Sequence, residues 1–261
     1  MIYLGKKINR TGEEGINNFG SKMIIKEYRK YSDIDVYFPE YKWTFEHGTY
    51  THFKKGNVKC PYEPRYYGIG YLGEGKYKMS ENGKHKKEFK IWYNMLMRCY
   101  DPKYQEERST YKGCKVEEYL LNFQHMGEWI NENYYEIPGE RMELDKDILC
   151  KGNKVYSRHT CIFVPQRINS LLTKSDNSRG DNPIGVDQLP SGNYIVQCNN
   201  EFGKSVYLGT YLTKEEAFQV YKQHKEKVIK KVIDSYKSKI PEPFYSKLRE
   251  AMYNYKIEVT D

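Results

Sequence analysis

The stretch LDKDILCKGNKVYSRHTCIFVPQRIN, residues 144–169, decides how the rest of the chain is read. It has the pattern of a strand, a polar turn, a second strand and the opening of a helix. Two carboxylates, Asp145 and Asp147, stand at the end of the first strand, and the amide Asn169 stands on the helix. Asp147 shares strand parity with Asp145, so both are expected on one side. A hairpin folded onto a helix brings such distant oxygen donors around one hard cation, of the Mg2+ or Mn2+ kind. A bound cation of that kind polarises a phosphodiester and stabilises charge on its leaving oxygen. The plainer reading of the two aspartates is a solvated strand end, with Asp145 capping the turn.

The chain has 261 residues, room for one large domain or two to three small ones. Lys and Arg number 43 against 35 Asp and Glu, a net charge of +8 that suits a polyanionic partner. The 27 tyrosines fit either stacking on nucleic acid or half-buried sheet faces in a chain short of aliphatics. The six cysteines form no CxxC pair and the histidines do not cluster, which argues against a zinc ribbon or finger. Neither a signal peptide nor a spanning segment is legible, so a cytoplasmic location with reduced, structural thiols is expected.

Outward from the opening stretch, 23–28, 33–38 and 42–47 alternate apolar and polar residues with short turns, the signature of a small antiparallel sheet or barrel. Residues 66–86, YYGIGYLGEGKYKMSENGKHK, read as a basic linker able to lie along a phosphate backbone. Its GIGYLGEG lacks a surrounding βαβ unit and carries no dinucleotide meaning. Helices are expected at 87–100, stopped by Asp101-Pro102, and at about 116–132. A polar linker at 174–183 precedes short strands at 184–188, 193–199 and 204–209. A long helix then opens on the capping box Thr213…Glu216, and a last one spans about 243–254.

Two stretches resemble known families. WYNMLMRCY (92–100), YKGCKVEEYLLNF (111–123), LDKDI (144–148), GNKVYS (152–157) and FVPQRIN (163–169) are similar to the HNH, or ββα-metal, endonucleases of phages and mobile introns. GVDQLPSGNYIVQC (185–198) and YLGTYLTKEEAFQVY (207–221) resemble the Apetala-type DNA-binding domain, which commonly sits beside an HNH core in mobile endonucleases. GEEGINNFGSKMIIKEY (12–28) and DIDVYF (33–38) resemble a repeated module of phage proteins. The resemblances imply an α+β chain: an N-terminal β-barrel-like module (1–65), the basic linker (66–86), a ββα-metal domain with flanking helices (87–175), a three-stranded sheet plus helix (176–240), and a C-terminal helix and tail (241–261).

They also imply site residues. Asp145 falls on the metal aspartate of the HNH pattern and Asn169 on its helix ligand, with Asp147 a second ligand or an orienter, around one Mg2+ or Mn2+ ion per site. Lys146 falls where the pattern has its histidine base. An ammonium with an ordinary pKa of ~10.4 is a poor base at neutral pH. Lys146 is therefore read as a phosphate clamp, or as a base depressed by the ion, and His159 as the alternative base. Asn153 and Tyr156 fall in the turn, against the backbone. In the Apetala-type module the outward sheet face reads duplex DNA, and that set is drawn from Gln188, Asn193, Tyr194, Gln197, Asn199, Lys204, Ser205 and Tyr207.

Two functions follow as expectations. One is a metal-dependent DNA endonuclease, acting on double-stranded DNA in the host cell cytoplasm if phage-encoded. The other is a degenerate HNH scaffold acting as a DNA-binding regulator or as an anti-defence inhibitor of a host nuclease or defence protein. A structural or packaging role is a third, weaker reading. A pseudo-palindromic target would require a homodimer.

Overall fold

The computed structural model describes residues 8–172 and 182–259. The expected linker at 174–183 lies outside them except for its last two residues, as does the expected boundary at 175–176. The chain is mixed α+β with several small antiparallel sheets. It divides into two compact units, 1–130 and 131–261.

In the first unit, β1 (Glu14–Ile16), β2 (Lys22–Lys30), β3 (Asp33–Phe38) and β4 (Trp43–Gly48) form an antiparallel meander in the order β1-β2-β3-β4. Met23, Ile25, Ile34, Val36 and Phe38 alternate onto one face and are fully buried with Phe53 of α1 (Tyr50–Lys54). Thr49 caps that helix by accepting the His52 N–H at 3.2 Å. The expected barrel-like closure does not form. β1 is three residues long, and β1 and β4 remain opposite edges of an open sheet.

Residues 66–86, expected as a linker, are packed irregular chain that ends in a hairpin of β5 (Ser80–Glu81) and β6 (Lys84–His85). They lie against α2 (Lys87–Tyr100), whose Phe89, Trp92, Met95, Leu96 and Cys99 are buried. Gly70 is required there, since a Cβ would stand 2.3 Å from Leu96 and 3.0 Å from Trp92. Asp101 ends α2 and caps α3 (Pro102–Glu107), accepting the Lys103 N–H at 2.9 Å. A 3-10 turn and the short β7 (Lys115–Val116) follow.

The single helix expected at 116–132 is two, α4 (Glu118–Leu121) and α5 (Phe123–Asn133). The break is made by distant chain. Tyr71 pairs with Asn122, donating its N–H to Leu121 O at 3.1 Å and accepting from Phe123 N–H at 2.9 Å. Gln124 then clamps the same segment through Leu72 O and both backbone groups of Tyr77.

In the second unit, β8 (Met142–Asp145) and β10 (Ile162–Pro165) pair antiparallel, with β9 (Val155–Tyr156) between them in sequence and α6 (Gln166–Leu171) directly after. Leu144, Tyr156 and Ile168 are buried, and β10 is buried on both faces through Ile162, Phe163 and Val164. β11 (Val186–Gln188), β12 (Tyr194–Asn199) and β13 (Ser205–Tyr211) make a three-stranded antiparallel sheet on which α7 (Lys214–Asp234) packs, followed by α8 (Phe244–Asn254). Thr213 accepts the Glu216 N–H at 3.2 Å, the expected cap. Gly185, at φ +73°, faces the Tyr221 ring so closely that a Cβ would stand 2.1 Å from it. No helix among the described residues is long and apolar enough to cross a membrane.

Candidate functional site

β8 ends at Asp145, opposite Ile162, and the backbone then bends through 146–150. The carboxylate of Asp145 causes part of that bend. Its Oδ1 accepts the Asp147 N–H at 2.8 Å and the Ile148 N–H at 2.7 Å, an Asx turn closed by the side chain itself. Asp145 therefore both caps the turn and presents a carboxyl group at the strand end. Burial of that group pushes its pKa up to about 6, helped by the charge of Asp147 and opposed by the two amides.

The strand parity expected to align Asp147 with Asp145 does not apply, because β8 has already ended. Asp147 reaches Asp145 through the turn instead. The residue that shares the strand face of Asp145 is Glu143, two positions earlier, which sequence reasoning missed. Asn169 on α6 donates to Glu143 Oε2 at 2.6 Å, which fixes the helix amide over β8. The signal was present: an acidic residue at i−2 of Asp145 within the strand.

Lys146 is buried, 7 % exposed. Its ammonium donates to Asp147 Oδ2 at 3.0 Å and lies 5.9 Å from the centre of the Tyr156 ring. The ammonium expected to clamp a phosphate is thus set against Asp147 in the turn. Tyr156 is a buried strand residue rather than a turn contact. Asn153 behaves as expected of a turn amide. Its Nδ2 donates to Lys146 O and to Val155 O, both at 2.7 Å, and its Oδ1 accepts the Val155 N–H at 3.1 Å. His159 is exposed in the turn before β10, its N–H donating to Ser157 Oγ at 3.3 Å. Because Ile162 pairs with Asp145, that turn leaves the ladder at the same end as Asp145.

These are oxygen donors of the type a hard cation takes: Asp145 and Asp147 interact at the strand end, and Asn169 is bonded to Glu143 on the strand face of Asp145. Another acidic group is different in kind. Asp33, Asp35 and His47 are the one His/Cys/Asp/Glu trio among the described residues with donor atoms within 4.8 Å of one another. There the Arg29 guanidinium already bonds both aspartates and holds their pKa values well below the usual range.

In the three-stranded sheet the cross-strand pairs Gln197–Tyr207 and Asn199–Ser205 lie on the face opposite buried Val196 and Cys198. Gln197, Asn199, Ser205 and Tyr207 are all exposed there. Asn193 and Lys204 stand in the turns just outside the strands. Tyr194 and Gln188 have the parity of Val196 and Val186, so they belong to the other face, at its edge, with Gln188 Nε2 3.4 Å from Tyr194 OH. None of the six cysteines forms a disulfide. No family model matches this sequence, no curated protein matches it, and no solved structure matches it.

Proposed function

We propose that the chain is a metal-dependent DNA endonuclease of the HNH type, with the Apetala-like sheet at 186–211 as a duplex-binding module. One observation carries the reading: two carboxyl groups, Asp145 and Asp147, meet at the end of β8, while Asn169 is locked to Glu143 on the same strand. Asp145 and Asn169 would hold one Mg2+ or Mn2+ ion, with Glu143 positioning the amide. When bound, the ion supplies Lewis-acid activation of the phosphate and stabilises the leaving oxygen. Asn153 fixes the main chain of Lys146, the position of the histidine base in the pattern this stretch resembles. The Lys146 ammonium is committed to Asp147, so His159 is the group assigned to the attacking water.

The second reading, a degenerate scaffold that binds DNA or a host defence protein, is favoured by that same ammonium. A built-in cation beside Asp147 supplies part of the charge a metal would bring. Supercoiled plasmid with Mg2+ or Mn2+ separates the two. Nicking by the wild type that is lost in Asp145→Ala and His159→Ala supports the nuclease. An absence of metal-dependent nicking above those variants overturns it, and a salt-sensitive gel shift surviving both substitutions then supports DNA binding alone. Under the degenerate reading, Lys146→His is expected to raise nicking from background.

A further inference from the structure

Residues 76–90, KYKMSENGKHKKEFK, hold six lysines against two glutamates, half of the chain's surplus of +8 in fifteen residues. The β5–β6 hairpin at their centre pairs Ser80 with His85 and Glu81 with Lys84. Its turn residues Asn82 and Gly83 have φ of 50° and 73°, the type I′ geometry that joins strands through two residues. All four strand residues are exposed. A two-stranded ribbon with no buried face is marginal on its own. This one is held at its root: Lys86 N–H donates to Met79 O at 2.9 Å, Tyr66 OH contacts Met79 Sδ at 2.8 Å, and the His85 ring lies 4.9 Å from Phe89. Tyr66 is itself wedged edge-on against Trp92 at 5.0 Å.

The ribbon is therefore anchored on the core of α2, with its strand residues exposed and the His85 ring resting on Phe89. What it presents is charge. Lys76, Lys78, Lys84 and Lys90 are exposed, and Glu81 is engaged by Lys86 at 3.1 Å. The outer side of α2 extends the patch with Asn94 and with Tyr93, which is 37 % exposed and 5.2 Å from the Tyr67 ring. Ammonium groups interleaved with amide and phenol donors are the set that contacts phosphate and sugar along a duplex.

We propose that the 80–85 ribbon and the outer face of α2 form a second DNA contact, which grips the phosphate backbone of duplex DNA without reading its sequence. The proposal rests on the chain being DNA-directed. It is tested by measuring binding of the full chain to a random-sequence duplex by fluorescence anisotropy, with EDTA present, between roughly 50 and 200 mM salt. Each lost phosphate contact lowers the log–log salt slope by about 0.9. The variant Lys78→Gln/Lys84→Gln/Lys90→Gln is expected to lose about 2–3 from the slope and to bind ~10-fold or more weakly at low salt. Its melting midpoint should be unchanged, and the corresponding triple Lys→Arg variant should keep both slope and affinity. A wild-type slope in the glutamine variant overturns the second contact while leaving the endonuclease reading intact. Failure of the wild type to bind duplex at any salt overturns both. A loss confined to single-stranded DNA overturns the duplex assignment.

Discussion

Two pairs of aspartates in this chain meet a cation, and Asp145 responds in the direction opposite to Asp33 and Asp35. At Asp33 and Asp35 the cation is the guanidinium of Arg29, whose fork bonds both carboxylates, with the His47 backbone N–H adding a bond to Asp35 at 3.0 Å. Both pKa values fall. At Asp145 and Asp147 the cation is the compact ammonium of Lys146, which bonds Asp147 at 3.0 Å. Asp145 keeps the cost of burial and the repulsion of its neighbour, and its pKa rises to about 6. Identical residue types thus give a charge-satisfied brace in one region and an under-compensated carboxyl group in the other. A planar, forked donor bonds two carboxylates at once, while the compact ammonium on Asp147 does not offset the burial of Asp145.

The largest expected contrast is in activity. Asp145→Asn should lower Mg2+- or Mn2+-dependent plasmid nicking more than about 100-fold, beyond what losing an outer partner of a metal ligand typically costs. Asp33→Asn should leave nicking unchanged. Equal losses in both variants would break the comparison.

Asn153→Ala should come next. It removes the amide that ties Lys146 O to Val155 O, and is expected to reduce nicking about 10-fold. Three lost hydrogen bonds should also lower stability by about 1–3 kcal/mol, read from urea unfolding.

The smaller contrast is in metal-free stability, and its signs differ. Asp145 titrates in the fold near 6, above its ordinary value of 3.8. Its contribution is therefore fully present below that ordinary value and is lost as pH rises through about 6. With EDTA near neutral pH, Asp145→Asn, which keeps an acceptor for both amides, should raise stability by about 1–2 kcal/mol. Added Mg2+ should stabilise the wild type and not this variant. Asp33 behaves oppositely. Its lowered pKa gives a contribution present at neutral pH and lost on acidification, so Asp33→Asn should lower the melting midpoint near neutrality and change little in acid.

Features set by nearby residues were legible in the sequence. The three- and four-residue spacing of Phe89, Trp92, Leu96 and Cys99 marks α2, and Thr213 with Glu216 marks the start of α7. The strand–turn–strand–helix order at 144–169 is likewise local. Features made by distant partners were not legible. Asn122 breaks a helix only because Tyr71, some fifty residues earlier, pairs with it. Lys146 looks solvent-seeking in isolation and is buried because Asp147 folds back and Tyr156 supplies a ring. Parity failed at Asp147 for a physical reason: Asp145 bends the chain with its own side chain, so the alternation of a strand stops where the site begins.

The Asn153 clip has one more use. It fastens the two ends of the 146–155 loop, while the tip holds Cys150, exposed where the other five thiols are buried. A maleimide dye therefore has a single preferred attachment point, five residues from Asp145, on a tether whose base is rigid. Fluorescence from that position would follow ion loading and partner arrival in the unaltered sequence, without an engineered cysteine.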